Sequence, residues 1–166
     1  INASLSSIHH GSHFTLVGGG GFDLYIDDPE FSTSTYRHTF MPPYSMKEGY
    51  TSKLKFGSRK MRYITINFPP YTRTNSLHIG LQKDAVLGGG MKYRDMKPVL
   101  YYGSSITQGG CCSRPGNTYQ AVVARRLNID FVNLGLSGNA RGEKAMAEYE
   151  LAQSESNIQG RTRTRY

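Results

Sequence analysis

The chain has 166 residues, of which 37% are hydrophobic and 19% are charged. This is the composition of a globular protein, and it excludes a wholly disordered chain. The formal net charge is +8, but the basic residues are scattered, without a basic amphipathic helix or an RNA-binding aromatic pattern, so we expect no nucleic-acid partner. No apolar run reaches the roughly 18 residues of a transmembrane helix, so we expect no membrane span.

Two cysteines, Cys111 and Cys112, are adjacent in the sequence. Neighbouring cysteines rarely bond to each other, because the small ring that would close is strained. Neither a CxxC pair nor a nearby histidine accompanies them, so the sequence predicts no metal site and no cofactor. Reduced thiols, and an N-terminal segment unlike a signal peptide, favour a cytoplasmic location.

The first part of the chain, over residues 14–87, is typical of an all-β unit. An apolar run, HFTLV, ends at four glycines, and GFDLYID and MRYITINF then alternate between apolar and polar residues with a period of two. Pro69 and Pro70 end the second of these strands, and SLHIGL gives another. The polar stretch 32–58 shows no clear element beyond a turn or loop at MPPY. We therefore predict a β-sandwich, jelly-roll-like in its strand arrangement, over residues 1–90.

After a linker predicted at residues 91–97, strands alternate with helices. PVLYYG is a continuous apolar run, as expected for a strand buried on both faces, and a long loop, GSSITQGGCCSRPG, follows it. Asn117 or Thr118 would cap a helix over YQAVVARRL, which Asn128 would end. IDFVNL gives a second strand and EKAMAEYELAQ a second helix. Residues 98–150 therefore predict the start of a parallel α/β sheet, and residues 151–166 a disordered or non-native tail.

One serine, Ser105, directly follows the first strand of this α/β part, at the edge where open α/β sheets bind their ligands. Gly103 and Ser104 allow a sharp turn that exposes Ser105, whose backbone N–H would face the same cleft. The next strand ends in NLGLSGNARG, and parallel neighbours bring both loops to one edge, so the N–H of Gly138 would also lie near Ser105. The alternative interpretation of GSSITQGG is a flexible turn or a phosphate-binding loop, although the P-loop pattern is absent.

These segments resemble the SGNH/GDSL family of serine hydrolases. PVLYYGSSITQGG is similar to the block that carries the family's nucleophile, and NLGLSGNA to the block whose glycine supplies an oxyanion-hole amide. GFDLYID, with TINFPPY and SLHIGL, resembles the GxDLY-type β-sandwich module that precedes some SGNH domains. The resemblance implies the first β-α-β-α of a three-layer α/β/α SGNH domain. It also implies that Ser105 is the nucleophile and that the N–H groups of Ser105 and Gly138 bind the oxyanion.

The same resemblance implies that the substrate is an acyl ester, on a small molecule or a carbohydrate, with removal of acetyl groups from carbohydrate as one form. Arg114 and Asn117, in the loop after Ser105, could hydrogen-bond a sugar or carboxylate near the cleft. The plainer interpretation of these two residues is a loop anchor and a helix cap.

The SGNH family also needs an asparagine from a third block and a DxxH block whose histidine is the general base. Neither pattern occurs in this chain, whose five histidines all lie in its N-terminal half. His78 has the best position for a base, although a histidine in a strand is more often a packed or surface residue, and we expect His9, His10 and His13 to form a mobile cluster. We therefore expect a truncated serine esterase with little or no turnover by itself.

Other interpretations stay open at this point. The β-rich region could be a non-catalytic carbohydrate-binding or interaction module beside a remnant hydrolase segment, with sugars stacked on Tyr36, Tyr44, Tyr50 and Tyr71. The change of texture after about Tyr149 could mark a frameshifted or prematurely ended reading frame. An exposed sheet edge beside the second α/β strand would favour a homo-oligomer, or a partner chain that supplies further strands.

Overall fold

The computed structural model describes residues 1–8 and 11–155, so the predictions for His9, His10 and residues 156–166 lie outside the described residues. Within them the strands and helices follow one another in the order β1 (Asn2–Leu5), α1 (Leu16–Gly20), β2 (Phe22–Asp28), β3 (Thr33–Phe40), β4 (Gly49–Thr51), β5 (Tyr63–Asn67), β6 (Thr74–His78), β7 (Val99–Gly103), α2 (Ser105–Gln108), α3 (Tyr119–Leu127), β8 (Phe131–Gly135) and α4 (Lys144–Glu155). A 3-10 turn, Pro115–Asn117, precedes α3.

Two three-stranded antiparallel sheets form the first part of the chain. In one sheet β1 lies between β4 and β6, and in the other β2 lies between β3 and β5. Because successive side chains of a strand point to opposite faces, Phe22 and Leu24 face one side of β2 while Asp23 and Tyr25 face the other. All four side chains are buried, so β2 is covered on both faces.

The hydrophobic core lies between these two sheets. Phe22 and Leu24 of β2 pack with Ala3 and Leu5 of β1, and the remaining buried members of the cluster are Ile8, Phe40, Met46 and Tyr50. Complete burial of a leucine, isoleucine, methionine or phenylalanine side chain contributes about 1.5–3 kcal/mol to stability. The other face of β2 carries the polar side chains, and it packs against the α/β part.

The predictions for this part are confirmed where the alternation is strong. GFDLYID forms β2, MRYITINF contains β5, and SLHIGL overlaps β6. The assignment of HFTLV to an all-β unit is wrong, because α1 begins there: the Thr15 Oγ1 accepts a hydrogen bond from the Gly18 N–H at 2.9 Å and caps the helix. The polar stretch 32–58 contains β3 and β4, which the sequence did not predict. The reason for β3 is that much of it is exposed to solvent, so it shows no apolar period.

The α/β part contains the parallel pair of strands that the sequence predicts. β7 and β8 pair in register from Val99 opposite Phe131 to Gly103 opposite Gly135. The residues of β7 are half-buried, so the predicted burial of this strand on both faces is wrong for the described chain. The predicted linker contacts this part, because the Arg94 N–H donates to the Asn128 carbonyl at 2.9 Å.

The predicted helix YQAVVARRL is confirmed as α3. Its cap is Thr118, whose Oγ1 accepts a hydrogen bond from the Ala121 N–H at 3.4 Å, and Asn128 ends it in the left-handed conformation with φ of 51°. The predicted long loop contains two short elements, α2 and the 3-10 turn. The second predicted helix forms α4 and continues to residue 155. No helix of the described chain has the length and apolar character needed to cross a membrane.

Tyr50 offers a direct test of the core. Its buried hydroxyl donates to the carbonyls of Gly20 at 3.0 Å and Phe40 at 2.8 Å. Tyr50→Phe leaves these buried carbonyls without that donor, so we expect the free energy of unfolding to fall by about 1–3 kcal/mol in urea titrations. Tyr63→Phe, at an exposed ring at the start of β5, is the matched control and should change it by less than about 0.5 kcal/mol. Equal effects of the two variants would contradict this description of the core.

Candidate active site

The two loops that the sequence predicts to meet lie side by side in the structure. β7 and β8 end together, and the Leu136 N–H donates to the Gly103 carbonyl at 2.7 Å, one residue beyond the end of β8. The chain therefore leaves both strands at the same edge, as parallel pairing requires. Gly135 is needed here, since a Cβ on it would collide with the backbone nitrogen of Gln108.

Ser105 is the first residue of α2, and its backbone is firmly held. Its carbonyl accepts hydrogen bonds from the N–H groups of Gly109 at 3.1 Å and Gly110 at 2.7 Å, and from the Tyr71 hydroxyl at 3.1 Å. Within the described chain, neither the Oγ nor the N–H of Ser105 makes a hydrogen bond. The half-buried Ser105 thus has a fixed backbone, with one hydroxyl and one N–H available to a bound molecule.

Ser105 lines an open cleft of about 710 Å³, a volume typical of small-molecule sites. One wall comes from the α/β part and includes Gln108, Leu136 and Asn139. The other wall comes from the N-terminal part. There the Phe14 and Tyr71 rings meet edge-on with their centroids 4.7 Å apart, and the His13 ring lies 4.8 Å from that of Phe14. The cleft is therefore built by both parts of the chain.

Gln108 joins the three segments that surround Ser105. Its Nε2 donates to the Pro70 carbonyl at 3.2 Å, which connects α2 to the N-terminal part. Its Oε1 accepts from the Ser137 N–H at 2.9 Å, and its own carbonyl accepts from the Asn133 Nδ2 at 3.3 Å. The side chain of Gln108 therefore sets the spacing between the Ser105 turn and the loop after β8. No local sequence pattern indicated this role of Gln108, because a glutamine in a predicted loop carries no signal of distant hydrogen-bond partners.

Gly138 lies in the loop after β8, with φ of 72° in the left-handed region that favours glycine. Its N–H donates to the Ser104 Oγ at 3.2 Å. Ser104 thus connects the Ser105 turn to the neighbouring loop, 34 residues away in the chain. In this structure the N–H that was predicted to bind an oxyanion therefore donates its hydrogen bond to an exposed serine hydroxyl.

The two residues predicted as substrate contacts lie elsewhere in the loop after Ser105. The Arg114 Nε is 3.4 Å from the Asp23 Oδ2, and its guanidinium carbon lies 4.2 Å from the centre of the Tyr36 ring. Asn117 is exposed, and its Nδ2 donates to the Ser113 Oγ at 2.9 Å. Neither residue lines the cleft of Ser105. A role for Arg114 and Asn117 in binding substrate stays a prediction.

Among the described histidines, His13 is the one that lines the cleft. The exposed His78 ends β6 opposite Asn2, away from Ser105. His38 lies beside the Phe40 ring with centroids 4.9 Å apart, and burial, with a contribution from Arg37, lowers the pKa of His38. In the described part of the chain, no group of three or more His, Cys, Asp or Glu side chains could hold a metal ion.

The tyrosines proposed to stack on sugars have different environments. Tyr50 is buried in the core, so a stacking role for it is wrong. The Tyr36 ring is covered by the Arg114 guanidinium and meets Tyr25 edge-on at 5.7 Å. Tyr44 is 87% exposed, and Tyr71 lies in the wall of the cleft.

Comparison with known protein families agrees with this arrangement. Residues 1–87 match the model of the GxDLY N-terminal region of SGNH-type esterases, and residues 96–158 match that of the GDSL-like lipase/acylhydrolase family. The chain belongs to the family defined by the GxDLY N-terminal region of SGNH-type esterases. The two matched regions are the two parts of the chain that meet at Ser105. Comparison with curated proteins finds no match.

One solved structure is similar to most of the chain. The chain is similar to a crystal structure from Bacteroides ovatus that was assigned as a GDSL-like lipase, with 30% sequence identity and a TM-score of 0.78. The similarity covers 89% of this chain and 42% of the Bacteroides chain. The chain therefore spans less than half of the length of that relative. The fold of the described chain is a mixed α/β arrangement with two antiparallel sheets and one parallel pair of strands.

The adjacent cysteines provide a test of the loop beside Ser105. Cys111 is exposed, whereas burial and the nearby charge of Asp23 raise the pKa of the Cys112 thiol to about 11. Because the thiolate is the reactive form, we expect iodoacetamide at pH 7.5 to alkylate Cys111 at least about tenfold faster than Cys112. Mass mapping of the Cys111→Ser and Cys112→Ser variants gives each rate separately. Similar rates for the two thiols would show that the loop is not packed as described.

Proposed function

We propose that this chain is the nucleophile-bearing part of a serine esterase that hydrolyses acyl esters, with Ser105 as its nucleophile. The observation that carries the proposal is the position of Ser105. It follows a parallel strand and lines the cleft shared by both parts of the chain. Its hydroxyl and N–H lie beside the loop of Gly138, and neither makes a hydrogen bond within residues 1–8 and 11–155. The match of residues 96–158 to the GDSL-like lipase/acylhydrolase family supports the same reaction class.

In the proposed reaction the Ser105 Oγ attacks the carbonyl carbon of the ester, and a general base takes the hydroxyl proton. The carbonyl oxygen becomes an oxyanion that accepts hydrogen bonds from the N–H groups of Ser105 and Gly138. The alcohol leaves with a proton from the base, and water then releases the acid from the acyl-serine. The base belongs to a DxxH pattern that this chain does not contain.

The hydrogen bond between Gly138 and Ser104 fits this role. The Ser104 hydroxyl is a neutral acceptor on an exposed side chain, and the N–H lies 3.2 Å from it. Hydrogen bonds to an ionised acceptor are about twice as strong as those between neutral groups, so an oxyanion would displace the hydroxyl. We therefore propose that Ser104 satisfies the Gly138 N–H only while no substrate is bound.

The finer architecture is also part of the proposal. We propose that residues 1–90 form a jelly-roll-like β-sandwich, that residues 91–97 are the connection, and that residues 98–150 form the first β-α-β-α of a three-layer SGNH domain. The shared core of the two antiparallel sheets and the parallel β7–β8 pair support these assignments. In the described chain each of β7 and β8 has one partner, so a further strand or a second copy could extend this sheet.

For the substrate we propose a small-molecule or carbohydrate acyl ester, with acetylated sugars as the first class to test. The aromatic wall of Phe14 and Tyr71 offers apolar surface, and Asn139 and Gln108 offer polar groups on the opposite wall. The alternative is a non-catalytic sugar-binding module, for which the aromatic wall would be the binding surface.

The direct test is reaction with a fluorophosphonate probe, monitored by intact mass and peptide mapping. We expect the natural gene product that carries these residues to gain one probe per chain at Ser105. Ser105→Ala should abolish the adduct, whereas the matched control Ser104→Ala should keep it. In this chain, without a DxxH pattern, labelling should be slower by a factor on the order of 10²–10⁴, the usual contribution of a general base.

Two outcomes would overturn the proposal. If the natural product is not labelled, or is labelled at a residue other than Ser105, the esterase hypothesis fails. If affinity for acetylated methyl xyloside survives Ser105→Ala unchanged, while neither the unsubstituted protein nor the variant hydrolyses it, the binding module becomes the better account.

A separate variant tests the base. Loss of labelling of the present chain in His13→Ala would identify His13 as the general base of this chain.

A further inference from the structure

We propose that Asp23, on the outer face of β2, is a positioning residue for Ser105, because it holds the loop that follows the Ser105 turn. This inference rests on the proposed function and assigns a role to a side chain outside the cleft. The loop concerned comprises residues 109–118, between α2 and α3, and we call it the 109–118 loop.

Asp23 is the centre of a buried polar cluster. Its carboxylate is 0% exposed, its Oδ1 accepts from the Thr39 Oγ1 at 2.6 Å, and its Oδ2 accepts from the Gly116 N–H at 2.8 Å. The Arg114 Nε lies 3.4 Å from the same Oδ2. A buried carboxylate is stable only when it is paired and hydrogen-bonded, and two of these three partners belong to the 109–118 loop. Asp23 therefore joins the two parts of the chain.

Aromatic rings on the same face complete the contact. The Arg114 guanidinium covers the Tyr36 ring, and the Arg125 guanidinium lies 4.1 Å from the centre of the Tyr25 ring. Gly116 sits so close to this surface that a Cβ would lie 2.6 Å from the Tyr25 ring and 2.9 Å from the Asp23 Oδ2. A glycine is thus required for the loop to reach the carboxylate.

The other end of the 109–118 loop holds Ser105. The N–H groups of Gly109 and Gly110 both donate to the Ser105 carbonyl. Between the two ends, the Thr15 hydroxyl lies 3.1 Å from the carbonyls of both Cys112 and Ser113 and donates to them. The loop is therefore fastened to the N-terminal part along its length. Release of its far end would loosen the two N–H groups that orient the backbone of Ser105.

Cys112 supplies a readout of this contact that does not depend on catalysis. Its thiol is partly buried in the 109–118 loop, so its alkylation by iodoacetamide reports how often the loop opens. Asp23→Asn removes the charge that faces Arg114 and one of the two acceptor oxygens. Gly116→Ala pushes the loop away while the carboxylate stays. Gly116→Ala is needed because the charge of Asp23 also raises the pKa of the Cys112 thiol. Loss of that charge in Asp23→Asn would therefore speed alkylation even if the loop did not move.

Asp27 provides the matched control. It is a second buried aspartate of β2, 4% exposed, and its two oxygens accept from the Ser34 Oγ and the Thr65 Oγ1 at 2.6 Å each, within its own sheet. Asp27→Asn removes a buried carboxylate of the same strand, two of whose hydrogen-bond donors lie on β3 and β5 and not in the 109–118 loop. It therefore separates general loss of stability from release of the loop.

The experiment measures Cys112 alkylation in this chain and fluorophosphonate labelling of Ser105 in the natural gene product, both well below the unfolding temperature. We expect Asp23→Asn and Gly116→Ala each to speed Cys112 alkylation by about tenfold, as loss of one buried charged hydrogen bond allows. We expect the same two variants to slow Ser105 labelling by at least about fivefold. Asp27→Asn should change neither rate by more than about twofold.

Three results would overturn the inference. Unchanged Cys112 alkylation in Gly116→Ala would show that Asp23 does not hold the loop. Faster Cys112 alkylation with unchanged Ser105 labelling would show that the contact is structural and does not position the nucleophile. Effects of Asp27→Asn as large as those of Asp23→Asn would assign both to general stability. If the natural gene product is not labelled at all, the proposed esterase function fails. The Cys112 alkylation rates then still show whether Asp23 holds the 109–118 loop.

Discussion

The structure depends on the parallel register of β7 and β8. Because Gly103 stands opposite Gly135, the two strands stop together and their following loops share one edge. The hydrogen bond from Leu136 to Gly103 and the one from Gly138 to Ser104 then continue the pairing beyond the strands. A shift of the pairing by one residue would break both hydrogen bonds and separate Ser105 from the loop of Gly138.

That register alone does not complete the cleft, because the N-terminal part supplies one wall, one hydrogen bond to Ser105 and further hydrogen bonds to the segments beside it. Tyr71 and Pro70 contact α2 directly, and Asp23 holds the 109–118 loop from the outer face of β2. The residues of the GxDLY signature thus have two separate functions. Phe22 and Leu24 face inward and build the core, while Asp23 and Tyr25 face outward and receive the α/β part.

The sequence predicted those features that depend on local pattern. Alternation predicted β2 and β5, and an apolar run predicted β7. The general rule for parallel strands predicted that the turn of Ser105 and the loop of Gly138 would meet, as the hydrogen bond between Gly138 and Ser104 shows. Prediction from the sequence failed where tertiary contacts decide the structure. β3 has no apolar period because residues on both of its faces are exposed or half-buried over most of its length, and α1 forms in a glycine-rich run that has low helix propensity.

In the site, too, the sequence did not predict the features that depend on tertiary contacts. The side chains of Gln108, Asp23 and Tyr71 hydrogen-bond to residues of the other part of the chain or of the loop after β8, which lie 29 or more residues away. No local motif indicates such distant partners. The assignment of the cap to Asn117 or Thr118 was left open by the sequence, and the Thr118 hydroxyl is the acceptor. His13 was grouped with its neighbours as a mobile cluster, yet it lines the cleft. Its position follows from the packing of Phe14 against Tyr71, which sequence pattern does not encode.

The central claim is that Ser105 and Gly138 act together on one ester carbonyl. A crystal structure of the natural gene product after reaction with a diethyl phosphate ester tests it most directly. The account predicts phosphorus bonded to the Ser105 Oγ, with a phosphoryl oxygen within about 2.7–3.1 Å of the N–H groups of Ser105 and Gly138 and with the Ser104 hydroxyl moved away. A phosphoryl group on another residue, or a Gly138 N–H still bonded to Ser104 in the adduct, would contradict it.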